Sequence, residues 1–126
     1  MVADSFDTSK PIYRQLADQM SWRIIRGELK TGEKLPSVRE TAVEFGVNPN
    51  TVSRTYSEME RDGVVETKRG QGTFVTDNQA VLDELRERMK QLHIEQFVRE
   101  MEAMGFSAED MTAGLQQYIE KRGSMQ

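Results

Sequence analysis

Asn50 and Arg54 stand four residues apart in the run Pro49-Asn50-Thr51-Val52-Ser53-Arg54. At about 100° per residue, a helix with Val52 pointing inward turns both side chains to the opposite side, with Thr51, Ser57 and Arg61 flanking them. A guanidinium grips guanine with two hydrogen bonds, a side-chain amide pairs with adenine, and Thr and Ser hydroxyls bond phosphates. Taken alone, such a face fits an ordinary solvated helix equally well. Two further cationic positions shift the balance. Arg39 falls near the start of the preceding element, within reach of a backbone phosphate, and Lys68-Arg69 sit beside Gly70 and Gly72 in a segment that reads as a narrow turn. Three separated basic positions on one expected surface point to nucleic acid. Glu58, Glu60 and Asp62 limit the approach to the first two turns of the helix.

Other chemistries find little to work with. The 126 residues include no cysteine and one histidine, His93, which removes disulfides, thiol catalysis and Cys- or His-rich metal sites. His93 lies between Leu92 and Ile94 in a helical pattern and reads as a packed or half-buried residue, not a general base; it shares no helix face with Glu95. No carboxylate or lysine set has a catalytic motif, so neither an enzyme, a cofactor nor a metal is expected. The net charge of −4 is unevenly spread: residues 1–78 carry 11 basic and 12 acidic side chains, and residues 79–126 carry six and nine. A local basic footprint, not a basic total, is what phosphate binding needs. No apolar run approaches the roughly 20 residues of a membrane span. The N-terminus lacks the basic start and apolar stretch of a signal peptide, so a cytoplasmic location without membrane contact is expected.

The elements that must position these residues follow from periodicity and helix-end signals. Residues 1–9 are polar and expected to be loose. Ser9 is placed to cap a first helix with Pro11 in its first turn, and Ile12, Leu16, Met20 and Ile24 line one face of it. Trp22 and Ile25 fall off that stripe. Ser37 and Glu40 have capping-box spacing, Val38, Thr41, Ala42 and Phe45 share the next buried face, and Gly46 ends it. Asn48 and Pro49 then start a third helix with Val52, Tyr56 and Met59 inward. Val64–Thr67 and Thr73–Val75 read as a hairpin around a basic, glycine-containing tip. Helix, helix, short turn, helix and hairpin is the order of a winged helix-turn-helix. A long helix from about Gln79 to Met104 follows, with Leu82, Leu85, Met89 and Leu92 on one stripe and Ile94, Phe97, Met101 and Met104 on another shifted by two residues. Gly105 stops it. Ser107 and Asp110 begin a last helix, to about Arg122, bearing Met111, Leu115, Tyr118 and Ile119. The fold class is therefore mainly α with a small β-hairpin: a winged helix-turn-helix head over residues 1–76 and a two-helix C-terminal tail over 77–126.

The stretch LPSVRETAVEFGVNPNTVSRTYSEMERDGVVETKRGQGTFV, with the preceding PIYRQLADQMSWRIIRGELKTGEK, resembles the head of the GntR family of bacterial transcriptional regulators. The resemblance covers residues 10–75, and GVNPNTVSRTY with the brief tail is similar to the family's YtrA-like branch. It implies a DNA-binding regulator, usually a repressor, acting as a homodimer on an inverted-repeat operator of double-stranded DNA, with the recognition helix in the major groove and the wing at the adjacent groove. It implies DNA contacts at Arg39, at Asn48, Asn50, Thr51, Ser53 and Arg54, and at Arg69 and Gly70; Lys68 joins them from the reading of the basic tip. Many relatives have Ser-Arg-Thr where this chain has Asn48-Pro49-Asn50, so base preference does not carry over. The large aminotransferase-like domain of one branch has no counterpart in the residues after the head.

The tail offers more apolar surface than its short second helix can cover. Leu85, Met89, Leu92, Phe97 and Met101 are therefore expected to pair two chains, with Trp22 and Ile25 receiving the tail on the head. Two helices of this length cannot enclose a drug-sized pocket of about 300–1,000 Å³. A small-molecule effector, as an alternative to control by expression level alone, is expected at the dimer or tail–head interface, near Met101, Phe106 and Tyr118.

Overall fold

In the computed structural model, which describes Phe6 and residues 9–124, the elements are α1 (Ile12–Ile25), α2 (Val38–Phe45), α3 (Pro49–Arg61), β1 (Val65–Lys68), β2 (Gly72–Val75), α4 (Gln79–Ala103) and α5 (Ala108–Ser124). The expectation of a loose N-terminus falls largely outside the described residues. The contacts divide the chain into two compact units, Met1–Arg86 and Glu87–Gln126.

In the first unit, α1 and α2 both pack on α3. The inward stripes meet there: Leu16, Met20 and Ile24 from α1, Ala42 and Phe45 from α2, and Val52, Tyr56 and Met59 from α3 are all buried. Ile12, at the end of the α1 stripe, is 45% exposed. The capping box of α2 forms as expected, with Ser37 Oγ accepting from Glu40 N and the Glu40 carboxylate accepting from Ser37 N. Gly46, in the left-handed conformation at φ 65°, closes α2, and Asn48 caps α3 with Pro49 in its first turn. The turn between the helices is therefore three residues long.

The start of α1 differs from expectation. Pro11, at φ −57° and ψ 138°, is the cap residue itself, and it makes no side-chain bond to the helix. The residue before a proline is biased away from helical angles. That bias fits a helix beginning only after Pro11, with Pro11 and not Ser9 at the cap position.

The hairpin is antiparallel, pairing Val65 with Val75 and Lys68 with Gly72. A third segment joins it. Leu35 N donates to Thr73 O and Val75 N donates to Glu33 O, both at 2.8 Å, with a bridge between Lys34 and Phe74. Val64, Val65 and Val75 anchor the wing in the core. The first turns of α4 belong to this unit. Asn78 Oδ1 accepts from Ala80 N at 3.1 Å, Leu82 and Leu85 are buried, and the Arg86 guanidinium donates to Ile25 O at 3.0 Å. Leu85, expected to face a second chain, is thus 4% exposed within its own unit. Of the two residues expected to receive the tail, Ile25 has this backbone contact with α4, and Trp22 is 39% exposed.

The second unit holds the rest of α4 and α5. Gly105 follows the end of α4, and Ser107 and Asp110 form the reciprocal cap of α5. Met111 is buried, but Leu92, Ile94, Phe97, Phe106, Leu115, Tyr118 and Ile119 are exposed. No helix among the described residues is long and apolar enough to cross a membrane.

Candidate nucleic-acid interface

The exposed side of α3 carries the residues singled out from the sequence. Burial of Val52, Thr55, Tyr56 and Met59 fixes the roll of the helix, so Asn50, Ser53 and Arg54 are exposed and Thr51 is half-buried. Asn48 is exposed too, but its Oδ1 accepts from Asn50 N at 2.8 Å. Its amide oxygen is thus engaged in capping, which leaves the amide N–H groups to meet another partner. Arg61 pairs with Glu58 at 3.4 Å, one turn back.

Two sets of contacts hold α3 in place, and a third ties α1 to α2. The Tyr56 hydroxyl donates to Pro36 O at 2.8 Å, and with its single proton used it accepts from Thr41 Oγ1, also at 2.8 Å. Burial pushes the Tyr56 phenol above its ordinary pKa. This chain of bonds ties α3 to α2 and to the turn that precedes it. On the far side, Arg23 of α1 pairs with Glu44 of α2 and lies 5.0 Å over the Phe45 ring. The bond to Glu44 raises the Arg23 pKa above its ordinary value. Glu60, one of the acidic residues expected to limit DNA approach, accepts from Thr67 N at 2.9 Å and from Thr67 Oγ1 at 3.2 Å. It sets the wing against the end of α3.

The other basic positions are also exposed. Arg39 is the second residue of α2, one turn from the capping box. At the wing, Gln71 N donates to Lys68 O at 2.8 Å, which closes a four-residue turn with Arg69 and Gly70 at its tip. Gly70 has φ +77°, and a Cβ there would meet nothing within 4 Å. The glycine is needed for its backbone angle, not for space. Lys68 is drawn back from the tip: it ends β1, and its ammonium lies 4.7 Å over the Phe74 ring. Among the described residues, Arg39, Arg54 and Arg69 take part in no ion pair. Their charge is available to a phosphate or a base.

Residues 12–75 match the model of the family described as bacterial regulatory proteins, gntR family. The chain belongs to the GntR family. It is similar along most of its length to the HTH-type transcriptional regulator YhcF of Bacillus subtilis, with 50% identity over 117 residues, covering 93% of this chain and 97% of that protein. The HTH-type transcriptional repressor YtrA of the same organism is 44% identical over 94 residues, 70% of this chain and 72% of that one. Among solved structures, a GntR family transcriptional regulator from Listeria monocytogenes superposes with a TM-score of 0.83 at 35% identity, covering 89% of this chain and 98% of that chain. The DNA-binding domain of AraR in complex with operator ORE1 matches with a TM-score of 0.52 at 28% identity, over 53% of this chain and 82% of that one. The GntR assignment agrees with the winged helix-turn-helix built above from helix caps and apolar stripes.

The tail presents a second feature. An apolar groove of about 500 Å³ runs between α4 and α5, lined by Ile94, Phe97, Phe106, Met111 and Leu115. It is open: Ile94 and Leu115 are each 48% exposed. Of the residues expected to pair chains, Leu92 and Phe97 are exposed and Met89 and Met101 are half-buried.

Proposed function

We propose that this GntR-family chain is a sequence-specific transcriptional repressor that binds an inverted-repeat operator as a homodimer in the cytoplasm. In this reading α3 enters the major groove, where Asn50 and Arg54 read base edges. Arg39, Asn48, Thr51 and Ser53 hold the sugar–phosphate backbone, and Lys68, Arg69 and Gly70 bring the wing to the adjacent groove. Residues 1–76 bind DNA, while residues 77–126 pair the chains through Met89, Leu92, Phe97 and Met101, with Leu85 seated in its own head. The observation that carries the reading is the roll of α3: burial of Val52, Tyr56 and Met59 turns Asn50, Ser53 and Arg54 outward together. The repressor YtrA and the operator-bound domain of AraR support it by likeness. The exposed apolar residues of α4 and α5 support pairing, because a contiguous apolar face of this kind is covered in most soluble proteins. A small-molecule effector, where one operates, would act at the tail, by changing the spacing of the two heads on their half-sites.

Fluorescence anisotropy with a duplex selected from a random-sequence library tests this reading. Tight binding that falls steeply with salt and exceeds binding to a scrambled duplex is expected. In vitro transcription from a promoter overlapping the selected site should then fall as protein is added. Equal affinity for both duplexes would sink the proposal.

A further inference from the structure

Arg54 does not stand alone on the surface of α3. Its guanidinium carbon lies 3.8 Å from the centroid of the Tyr13 ring, well inside the roughly 6 Å reach of a cation–π contact. Tyr13 belongs to the first turn of α1, 41 positions earlier in the chain. Its backbone is held against α3 as well: Thr55 Oγ1 lies 3.2 Å from Tyr13 O and 2.8 Å from Thr51 O, so one hydroxyl proton serves both carbonyls. Tyr13 is half-buried, and with Ile12, Asn50, Thr51 and Arg54 it lines a shallow cleft of about 330 Å³. The ring therefore sits among three of the side chains placed at the DNA interface. The Arg14 guanidinium is also within reach of the ring but lies farther off, at 5.6 Å.

A free arginine side chain loses rotamer entropy when binding fixes it. An aromatic face restrains the plane of the guanidinium and leaves its rim of N–H donors open, because stacking uses the face and hydrogen bonding uses the edge. Stacking on Tyr13 is thus compatible with a two-pronged hydrogen bond to guanine and lowers the cost of forming it.

We propose that Tyr13 is a positioning residue for DNA recognition: its ring holds Arg54 in the conformation that reads the operator, so sequence discrimination depends on a side chain of α1 outside the helix-turn-helix. The inference rests on the DNA-binding reading above.

The test uses the full chain, the library-selected duplex and its scrambled counterpart, with Tyr13→Leu, Tyr13→Phe, Arg54→Ala and the Tyr13→Leu/Arg54→Ala double variant. Tyr13→Leu should weaken binding to the selected duplex by roughly 3- to 10-fold, with a smaller change on the scrambled one. The salt slope should stay that of the parent, since no phosphate contact is lost. Tyr13→Phe keeps the ring and should bind like the parent. The double variant should be no weaker than Arg54→Ala, because the ring acts only through the guanidinium. In the unmodified protein without DNA, the Arg54 Nε–H proton should show an upfield ring-current shift by NMR. That measurement needs no variant to fold, and absence of the shift would overturn the proposal. So would Tyr13→Leu with parental discrimination, or losses that add in the double variant. Equal losses in Tyr13→Phe and Tyr13→Leu would assign the phenol hydroxyl, not the ring, to DNA. Failure of the underlying reading looks different: the unmodified chain would then not distinguish the two duplexes, or Arg54→Ala would bind as the parent does.

Discussion

Arg54 and Arg39 are both exposed cations, yet the chain places them on different elements and in different company. Arg54 sits mid-face on α3, beside Asn50. Arg39 sits at the start of α2, where a helix-turn-helix passes the DNA backbone. Arg54→Ala is therefore expected to cost about 1–3 kcal/mol on the selected duplex and to flatten discrimination. Arg39→Ala should weaken binding to selected and scrambled duplexes alike and reduce the salt slope by about one. Anisotropy titrations across a salt series read both quantities. Tyr56 is tested by stability instead. Removing its hydroxyl strands Pro36 O and Thr41 Oγ1 beside a buried ring, so Tyr56→Phe should lower stability by about 1–3 kcal/mol in urea unfolding. An unchanged midpoint would mean that water replaces the lost partner.

At the scale of elements, the ends of helices and the tip of the wing carry the specification. The reciprocal bonds between Ser37 and Glu40 fix where α2 begins, and they hold the Glu40 carboxyl below its ordinary pKa, as the equivalent bonds at Ser107 do for Asp110. A carboxylate whose pKa is depressed by folding favours the folded state at pH values above its unfolded pKa. That contribution fades as the pH falls through the folded-state value. Thermal stability should therefore drop on acidification below about pH 4, and Glu40→Gln should shrink that drop while leaving α2 helical. Melting curves over pH 3–7 (about the range in which carboxylates titrate) measure it. At the wing, Gly70→Ala forces a Cβ into a left-handed backbone at a cost of about 1–2 kcal/mol. The surroundings are empty, so the loss should appear as a distorted turn and weaker DNA binding with the core intact.

For the whole molecule the decisive quantity is exposed apolar surface. Leu82 and Leu85 are buried in the first unit, whereas Phe97 and Leu115 line an open groove in the second. The double variant Phe97→Glu/Leu115→Glu places two charges on that groove without touching the first unit. Light scattering should give the mass of a dimer for the unmodified chain and of a monomer for the variant. The variant should also lose affinity for an inverted repeat more than for a single half-site, because only the former engages two linked heads. A variant that stays dimeric would move the interface off this groove.

Local signals were enough for most of the architecture. The capping box at Ser37, Gly46, the Asn48-Pro49 start and Gly105 each act within one helical turn, so element order, the three-residue turn and the exposed face of α3 were legible from spacing alone. The resemblance of residues 10–75 to GntR heads added the candidate contacts. Where a short local signal misled, as with Ser9, the proline two residues on explains the later helix start. The remaining features needed the tertiary structure, because they join residues distant in sequence. Periodicity shows that Leu85 lies on an apolar stripe, but not whether its own unit or a second chain covers it. The strand-like run at Glu33–Leu35, the wing contact of Glu60 and the stacking of Arg54 on Tyr13 likewise pair atoms across stretches of chain that no local pattern links. Sequence spacing fixes which way a side chain leaves its own helix; what it meets there is decided by how the other elements pack.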